Sequence, residues 1–385
     1  MGRCGCFGSA FSVKPSKVKD SWSLGEPLFD DKVEDGEKES SYDDHSINKG
    51  NEETEFHSPV KRSEEIIKGK ILKGLICREI AVKESHELIC LEDEDGNKMV
   101  NEYVRECKIG EGSYAKVLYR NKVDQKHYAI KGFHKSHFLK LQVAPSETAM
   151  TDVLRKVMIM KFLSHPNIVN LVEVIDDPTT NHFYMVLEYL EGKWIDEATG
   201  PLGGLRQSTA RKYLRDIVSG LMFLHAHNIV HGDIKPDNLL VTASGEVNIG
   251  DFSVSQVFEV LFLFPGNNLD FVMLFRFNAP WKSCGRVTLY YMVLSNYPFL
   301  GENLPDTYEK IVRVTLNLPD YLNPLLKDLI EKFLCKDPVM RISLEAVAEH
   351  PWFIGEEGPI SRHICWCKRN STGGEFECID PSTSH

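Results

Sequence analysis

Residues 231–238 read His-Gly-Asp-Ile-Lys-Pro-Asp-Asn, and thirteen residues further on stands Asp251, followed by Phe252 and Ser253. An acid, a lysine, an amide and a second acid at this spacing fit transfer of a phosphoryl group from ATP. Asp233 would accept the proton of a substrate hydroxyl, and Lys235 would neutralise the transferring phosphate. Asn238 and Asp251 would hold Mg2+ against the triphosphate. Such catalysis is mostly positioning and electrostatics. The alternative, a chance acidic turn, does not explain why Leu239-Leu240-Val241 follows at once as a strand that would anchor the loop.

Other elements must carry the nucleotide. Ile109-Gly110-Glu111-Gly112-Ser113-Tyr114-Ala115-Lys116-Val117 is a glycine-containing turn, with Ala115 at the third glycine of the usual pattern. Glycines let backbone N–H groups approach phosphate oxygens closely. Alone, this stretch reads equally as an ordinary hairpin. Its place just before Ala129-Ile130-Lys131 gives it weight, because Lys131 would then reach the α- and β-phosphates, the alternative being a solvated strand lysine. The pattern predicts strands over 103–110, 115–120, 127–131, 168–174 and 183–187. It predicts helices over 150–163 and 208–227. A small strand-rich lobe followed by a larger helical lobe is the architecture this order implies.

The bulk properties bound the answer. A chain of 385 residues accommodates two or three structural units. Its net charge of −11 argues against nucleic acid or an anionic membrane as the main partner. Ten cysteines show no zinc-ribbon spacing, and no secretory signal is visible, so reduced intracellular thiols are expected. Between Asp30 and Glu55, eleven acids face three lysines, which reads as a disordered extension over 1–57. Residues 64–77 carry apolar side chains at helical spacing, for a short docked helix or an amphipathic stretch in a linker. Met1-Gly2-Arg3-Cys4-Gly5-Cys6 partly resembles a lipidation signal but has Cys6 where Ser or Thr is favoured. A plain chain end is the reading and a membrane contact its alternative. Cys365-Trp366-Cys367 reads as a free-thiol tail, since no second ligand pair is evident.

From Tyr103 to Phe353 the chain resembles the eukaryotic serine/threonine protein kinases. Val172-Glu173-Val174-Ile175-Asp176-Asp177-Pro178, and Gly232 in place of the catalytic-loop arginine, resemble the calcium/calmodulin-dependent protein kinase kinases. Ala144-Pro145-Ser146-Glu147-Thr148-Ala149-Met150, Asp251-Phe252-Ser253-Val254-Ser255-Gln256 and Cys365-Trp366-Cys367-Lys368 resemble their plant relatives, the geminivirus Rep-interacting kinases. The resemblance implies an α+β bilobal fold, with a small antiparallel-sheet lobe over 103–187 and a large helical lobe over 193–353. A linker with short helix and strand elements over 58–102 precedes them, and a tail over 354–385 follows. It implies ATP and Mg2+ as cofactors, with Ile109, Gly110, Gly112, Val117, Ala129 and Lys131 around the nucleotide. Leu187 stands near the gatekeeper, and Glu188 to Leu190 would hydrogen-bond adenine. Implied substrates are activation loops of sucrose-non-fermenting-related kinases, with geminivirus Rep as a partner. A monomer in cytoplasm or nucleus is expected, without calmodulin binding.

Three departures matter. The helix that should present a glutamate to Lys131 presents Lys156. Two lysines facing each other would repel and leave Lys131 without its orienting partner; Lys156 turning to solvent would spare stability but not the active arrangement. Glu147, nine residues earlier, lies on the order of 13 Å away along a helix. Next, 257–277 reads VFEVLFLFPGNNLDFVMLFRF, with no threonine between Asp251 and Pro280. A loop of this composition would expose apolar surface. Lastly, Trp281 replaces the glutamate expected after Ala279-Pro280, which would leave Arg341 unpaired, and the Asp-x-Trp-x-x-Gly stretch is missing but for Gly285. Normal sequence on both sides points to an altered exon junction or retained intron over roughly 257–286. A divergent isoform is the alternative. These departures predict weak or no transfer by this chain, with an impaired, pseudokinase-like binding module as the second reading.

Overall fold

A computed structural model describes residues 63–73, 77–110, 116–144, 147–195, 197, 203–252, 255–258, 285–337 and 340–360. The acidic extension, Gly112, most of the apolar block with Trp281, and the Cys365-Trp366-Cys367 tail lie outside them.

The first lobe is built on one curled sheet. Its strands are β1 (Lys83–Ser85), β2 (Cys90–Glu92), β3 (Lys98–Val100), β4 (Tyr103–Gly110), β5 (Lys116–Asn121) and β6 (His127–His134). Helix α2 (Lys135–Lys140) and a small hairpin of β7 (Gln142–Ala144) and β8 (Glu147–Thr148) lead into helix α3 (Ala149–Phe162). Strands β9 (Leu171–Asp176) and β10 (His182–Glu188) complete the sheet in the order β1-β9-β10-β6-β5-β4-β3-β2. All pairings are antiparallel except β1 on β9. The segment 58–102 thus supplies strands to both edges of the sheet. Its anchor is Glu173, fully buried, which accepts hydrogen bonds from Tyr103 Oη at 2.6 Å and Ser85 Oγ at 2.5 Å and pairs with Lys83 at 3.1 Å. A carboxylate removed from water needs partners of this kind.

Helix α3 starts on a capping box: Thr148 Oγ1 accepts from Thr151 N–H, and Thr151 Oγ1 accepts from Thr148 N–H, both at 3.3 Å. Val153, Val157 and Met160 fall at three- and four-residue spacing and are buried. Helix α1 (Ser63–Leu72) packs on α3 through Ile66 and Ile67. Of the two readings of 64–77, a docked helix or an amphipathic linker stretch, the described residues show a helix over Ser63–Leu72 packed on α3.

The second lobe is mainly helical. Its elements are β11 (Gly192–Trp194), α4 (Gln207–Ala226), β12 (Ile229–Val230), β13 (Leu239–Thr242), β14 (Val247–Ile249) and β15 (Gln256–Val257). Helices α5 (Gly285–Leu294), α6 (Leu304–Arg313), α7 (Pro324–Phe333), α8 (Leu344–Ala348) and α9 (Pro351–Ile354) follow. Ala210, Leu214, Ile217, Val218 and Leu224 form the buried face of α4. Gly220 allows α4 to lie close on β14: a Cβ there would meet Ile249 Cδ1 at 2.8 Å and Asn167 O at 3.2 Å.

The two lobes share one core, running from Ile67, Val157 and Met185 to Leu214, Ile249, Phe252 and Trp352. Backbone hydrogen bonds between Asn167 O and Ile249 N–H, and between Ile249 O and Val169 N–H, both 2.9 Å, tie the entry to β9 onto β14. They fix the strand end from which Asp251 projects. Arg341 differs from expectation. Its Nε donates to Cys335 O at 2.8 Å and its Nη2 to Lys336 O at 3.2 Å, so backbone carbonyls take the place of a glutamate.

Candidate active site

The site lies where the sheet lobe meets the β12–β15 region, and short elements position each group. Strand β12 delivers His231. Gly232 follows at φ +86°, a left-handed conformation that glycine adopts freely and arginine does not. His231 is 1% exposed. Its Nδ1 accepts from Asp233 N–H at 3.3 Å, so its Nε2 carries the proton and donates to Gly250 O at 3.0 Å. Burial pushes its pKa down to about 4, which keeps the ring neutral. Its backbone carbonyl accepts from Ser255 Oγ at 2.8 Å, and its ring meets buried Phe252 edge-on at 4.7 Å. The loop and the start of the segment after Asp251 are thus locked together by one histidine.

Asp233, Lys235 and Asn238 converge as their spacing predicts. Asp233 Oδ2 accepts from Asn238 Nδ2 at 2.8 Å and pairs with Lys235 Nζ at 2.9 Å. Asn238 Nδ2 also donates to Asp233 O at 2.8 Å, and a 3-10 turn over Pro236–Asn238 holds the amide in place. A carboxylate fixed through one oxygen can take a hydroxyl proton on the other.

The nucleotide-facing residues fall on adjoining strands. Ile109 and Gly110 end β4; Val117 on β5 pairs with Ile130, and Ala129 on β6 lies opposite Leu118 and Leu187. Glu188 ends β10. Its Oε1 accepts from Asn170 N–H at 2.6 Å and its own N–H donates to Asn170 O at 3.0 Å. Burial raises the Glu188 pKa, opposed by the Asn170 hydrogen bond and the Arg78 charge. A base edge here would meet the Glu188 carbonyl rather than its N–H, with Leu190 two residues on.

Asp251 sits at φ +58°, which aspartate tolerates better than most residues. Lys131 Nζ lies 3.8 Å from its Oδ1. Lys156 corrects the sequence-based expectation. It neither turns to solvent nor simply repels Lys131: its side chain is 5% exposed, and its Nζ lies 2.5 Å from the same Asp251 Oδ1. Both lysines use this acid as their counter-charge. Glu147, excluded as a substitute partner by distance, pairs instead with Arg155 Nη2 at 2.9 Å. The register on α3 located Lys156, but its partner is 95 residues away in sequence and carried no local signal.

The donor set can be tested against a divalent ion. Asn238 offers a suitable amide oxygen. Asp251 does not fit: a dication on its Oδ1 would be pressed against the Lys156 ammonium and face Lys131 close by.

Sequence missed a second cluster. Arg155 binds Glu64 of α1 at 2.9 Å, Glu147 of β8 at 2.9 Å and Asp152 at 2.8 Å. Ser63 Oγ of α1 accepts from Val257 N–H at 3.0 Å, and Lys70 Nζ donates to His227 O at 2.5 Å. Helix α1 therefore bridges α3, which carries Lys156, and β15, just beyond Asp251.

The family model for the protein kinase domain matches residues 103–261, ending inside the apolar block. The chain is 60% identical over 332 residues to the serine/threonine-protein kinase GRIK2 of Arabidopsis thaliana, covering 81% of this chain and 80% of that protein. It is 60% identical over 324 residues to GRIK1 of the same plant, covering 81% of each. Similarity extends to a calcium/calmodulin-dependent protein kinase kinase of Caenorhabditis elegans, 36% identical over 286 residues and covering 66% of this chain and 52% of that protein. Members of this family use ATP and Mg2+. With its two-lobed fold and His231-to-Asn238 loop, the chain belongs to the serine/threonine protein kinases.

Proposed function

We propose that this protein is a kinase of the kinase-kinase type, transferring phosphate from ATP to Ser or Thr in the activation loops of sucrose-non-fermenting-related kinases. The observation that carries this reading is the Asp233 carboxylate, held by Asn238 at 2.8 Å and Lys235 at 2.9 Å. In it, Asp233 takes the substrate hydroxyl proton, and Lys235 and Lys131 meet the phosphates. Ile109, Val117 and Ala129 cover the base, and Glu188 and Leu190 address its edge. The substrate class rests on the resemblance of 144–150, 251–256 and 365–368 to the plant geminivirus Rep-interacting kinases, and the 60% identity to GRIK1 and GRIK2 supports serine/threonine kinase activity. Phosphate transfer to a purified activation-loop substrate, with Asp233→Asn as control, tests it: transfer that vanishes in the control is expected, and transfer unaffected by the substitution contradicts it.

One observation favours a second reading. Lys156 holds the acid that family members use for metal, so transfer by the chain as written is weak, and nucleotide or protein binding is the function that persists. The apolar sequence over 257–286, read as an altered exon junction, acts in the same direction. Full-length transcripts that uniformly carry this block would contradict the junction reading.

A further inference from the structure

The charge balance of the cleft is unusual in a way that bears on which form of nucleotide it accepts. Among the described residues, Lys131 and Lys156 stand against Asp251 and Lys235 against Asp233, three ammonium groups to two carboxylates. Lys131 is 4% exposed and Lys156 5%, so water screens neither well. A glutamate at 156 would reverse the balance to two cations against three carboxylates, and a triphosphate could then enter only with dications to offset it. Here the Lys156 ammonium already stands 2.5 Å from Asp251 Oδ1, on the oxygen a dication would otherwise take.

Resting on the reading of this cleft as a nucleotide site, we propose that Lys156 is a built-in counter-cation: the site binds the metal-free nucleoside triphosphate, and Mg2+ adds little affinity. Lys156 and Lys131 lie close enough to share an anionic oxygen as they now share Asp251 Oδ1. An entering phosphate competes for both ammonium groups. A dication would need Lys156 to leave a buried position.

Calorimetric titration of the full chain with ATP, in EDTA and again in excess Mg2+, tests this. Wild type is expected to bind with Kd values within about threefold in the two buffers. Lys156→Glu should lose at least about tenfold in EDTA and recover with Mg2+, while Lys156→Met should weaken EDTA binding without acquiring metal dependence. Thermal melts of each variant confirm folding. Wild-type binding that needs Mg2+ overturns the proposal, as does equal metal independence of wild type and Lys156→Glu. Binding of Mg-ATP by Lys156→Glu but none by wild type overturns the counter-cation and leaves the nucleotide site standing. No binding by any folded form overturns both.

Discussion

At the residue scale, single side chains set the chemistry. His231 links Asp233, Gly250 and Ser255 while buried and neutral. Its folded pKa of about 4 lies below the ordinary 6.5, so between these values the unfolded chain binds a proton that the folded chain does not. Its contribution is complete above pH 6.5 and lost as pH falls to about 4, on the order of 3 kcal/mol. Melting temperature should fall through this window, and less steeply in His231→Phe; parallel curves would contradict the assignment. Glu173 offers a second check. Tyr103→Phe removes one of its donors and should cost about 1–3 kcal/mol in denaturant unfolding. An unchanged midpoint would mean that Ser85 and Lys83 suffice. Sequence placed Asp233, Lys235, Asn238 and Asp251 because each lies within a short contiguous motif. The partners of Lys156 and Arg341 were illegible, since both are set by tertiary approach and backbone geometry.

At the scale of elements, the strands and helices were readable from periodicity, and their neighbours were not. The strands read as 168–174 and 183–187 appear as Leu171–Asp176 and His182–Glu188, and the helix read as 208–227 as Gln207–Ala226. Two- and 3.6-residue patterns survive in a sheet with one buried face and in an amphipathic helix. Strands of three residues, such as Lys83–Ser85 and Cys90–Glu92, are too short to show a period, which is why 58–102 was read only as carrying short strand elements, without their bounds or their places at the sheet edges. Helix α1 was visible as apolar spacing, yet its bridging role depends on Glu64, Ser63 and Lys70, whose partners lie far along the chain. Ile67 is 1% exposed between α1 and the main core. Ile67→Ala should destabilise by about 2–5 kcal/mol. In hydrogen exchange, protection should fall in α3 and β15 as well as in α1. Loss confined to α1 would reduce that helix to a passive cover.

At the scale of the whole molecule, fold and family were legible because a two-lobed order of elements and a compact catalytic motif agree. The abnormal block sits between intact parts. Helix α5 begins at Gly285 and buries Val287, Leu289, Met292 and Val293 as a normal core helix, and Arg341 donates to the backbone carbonyls of Cys335 and Lys336. The described residues on either side of the block thus keep a buried core, and among the described residues of the site the departure from the family pattern is the charge at 156. The most direct measurement is the rate of phosphate transfer from Mg-ATP to an activation-loop substrate by wild type, Lys156→Glu, Asp233→Asn and the double variant. If Lys156 is what holds Asp251 away from its metal, Lys156→Glu transfers at least about tenfold faster than wild type, and Asp233→Asn abolishes the gain. A folded Lys156→Glu no faster than wild type would contradict this and move the defect to residues 257–286.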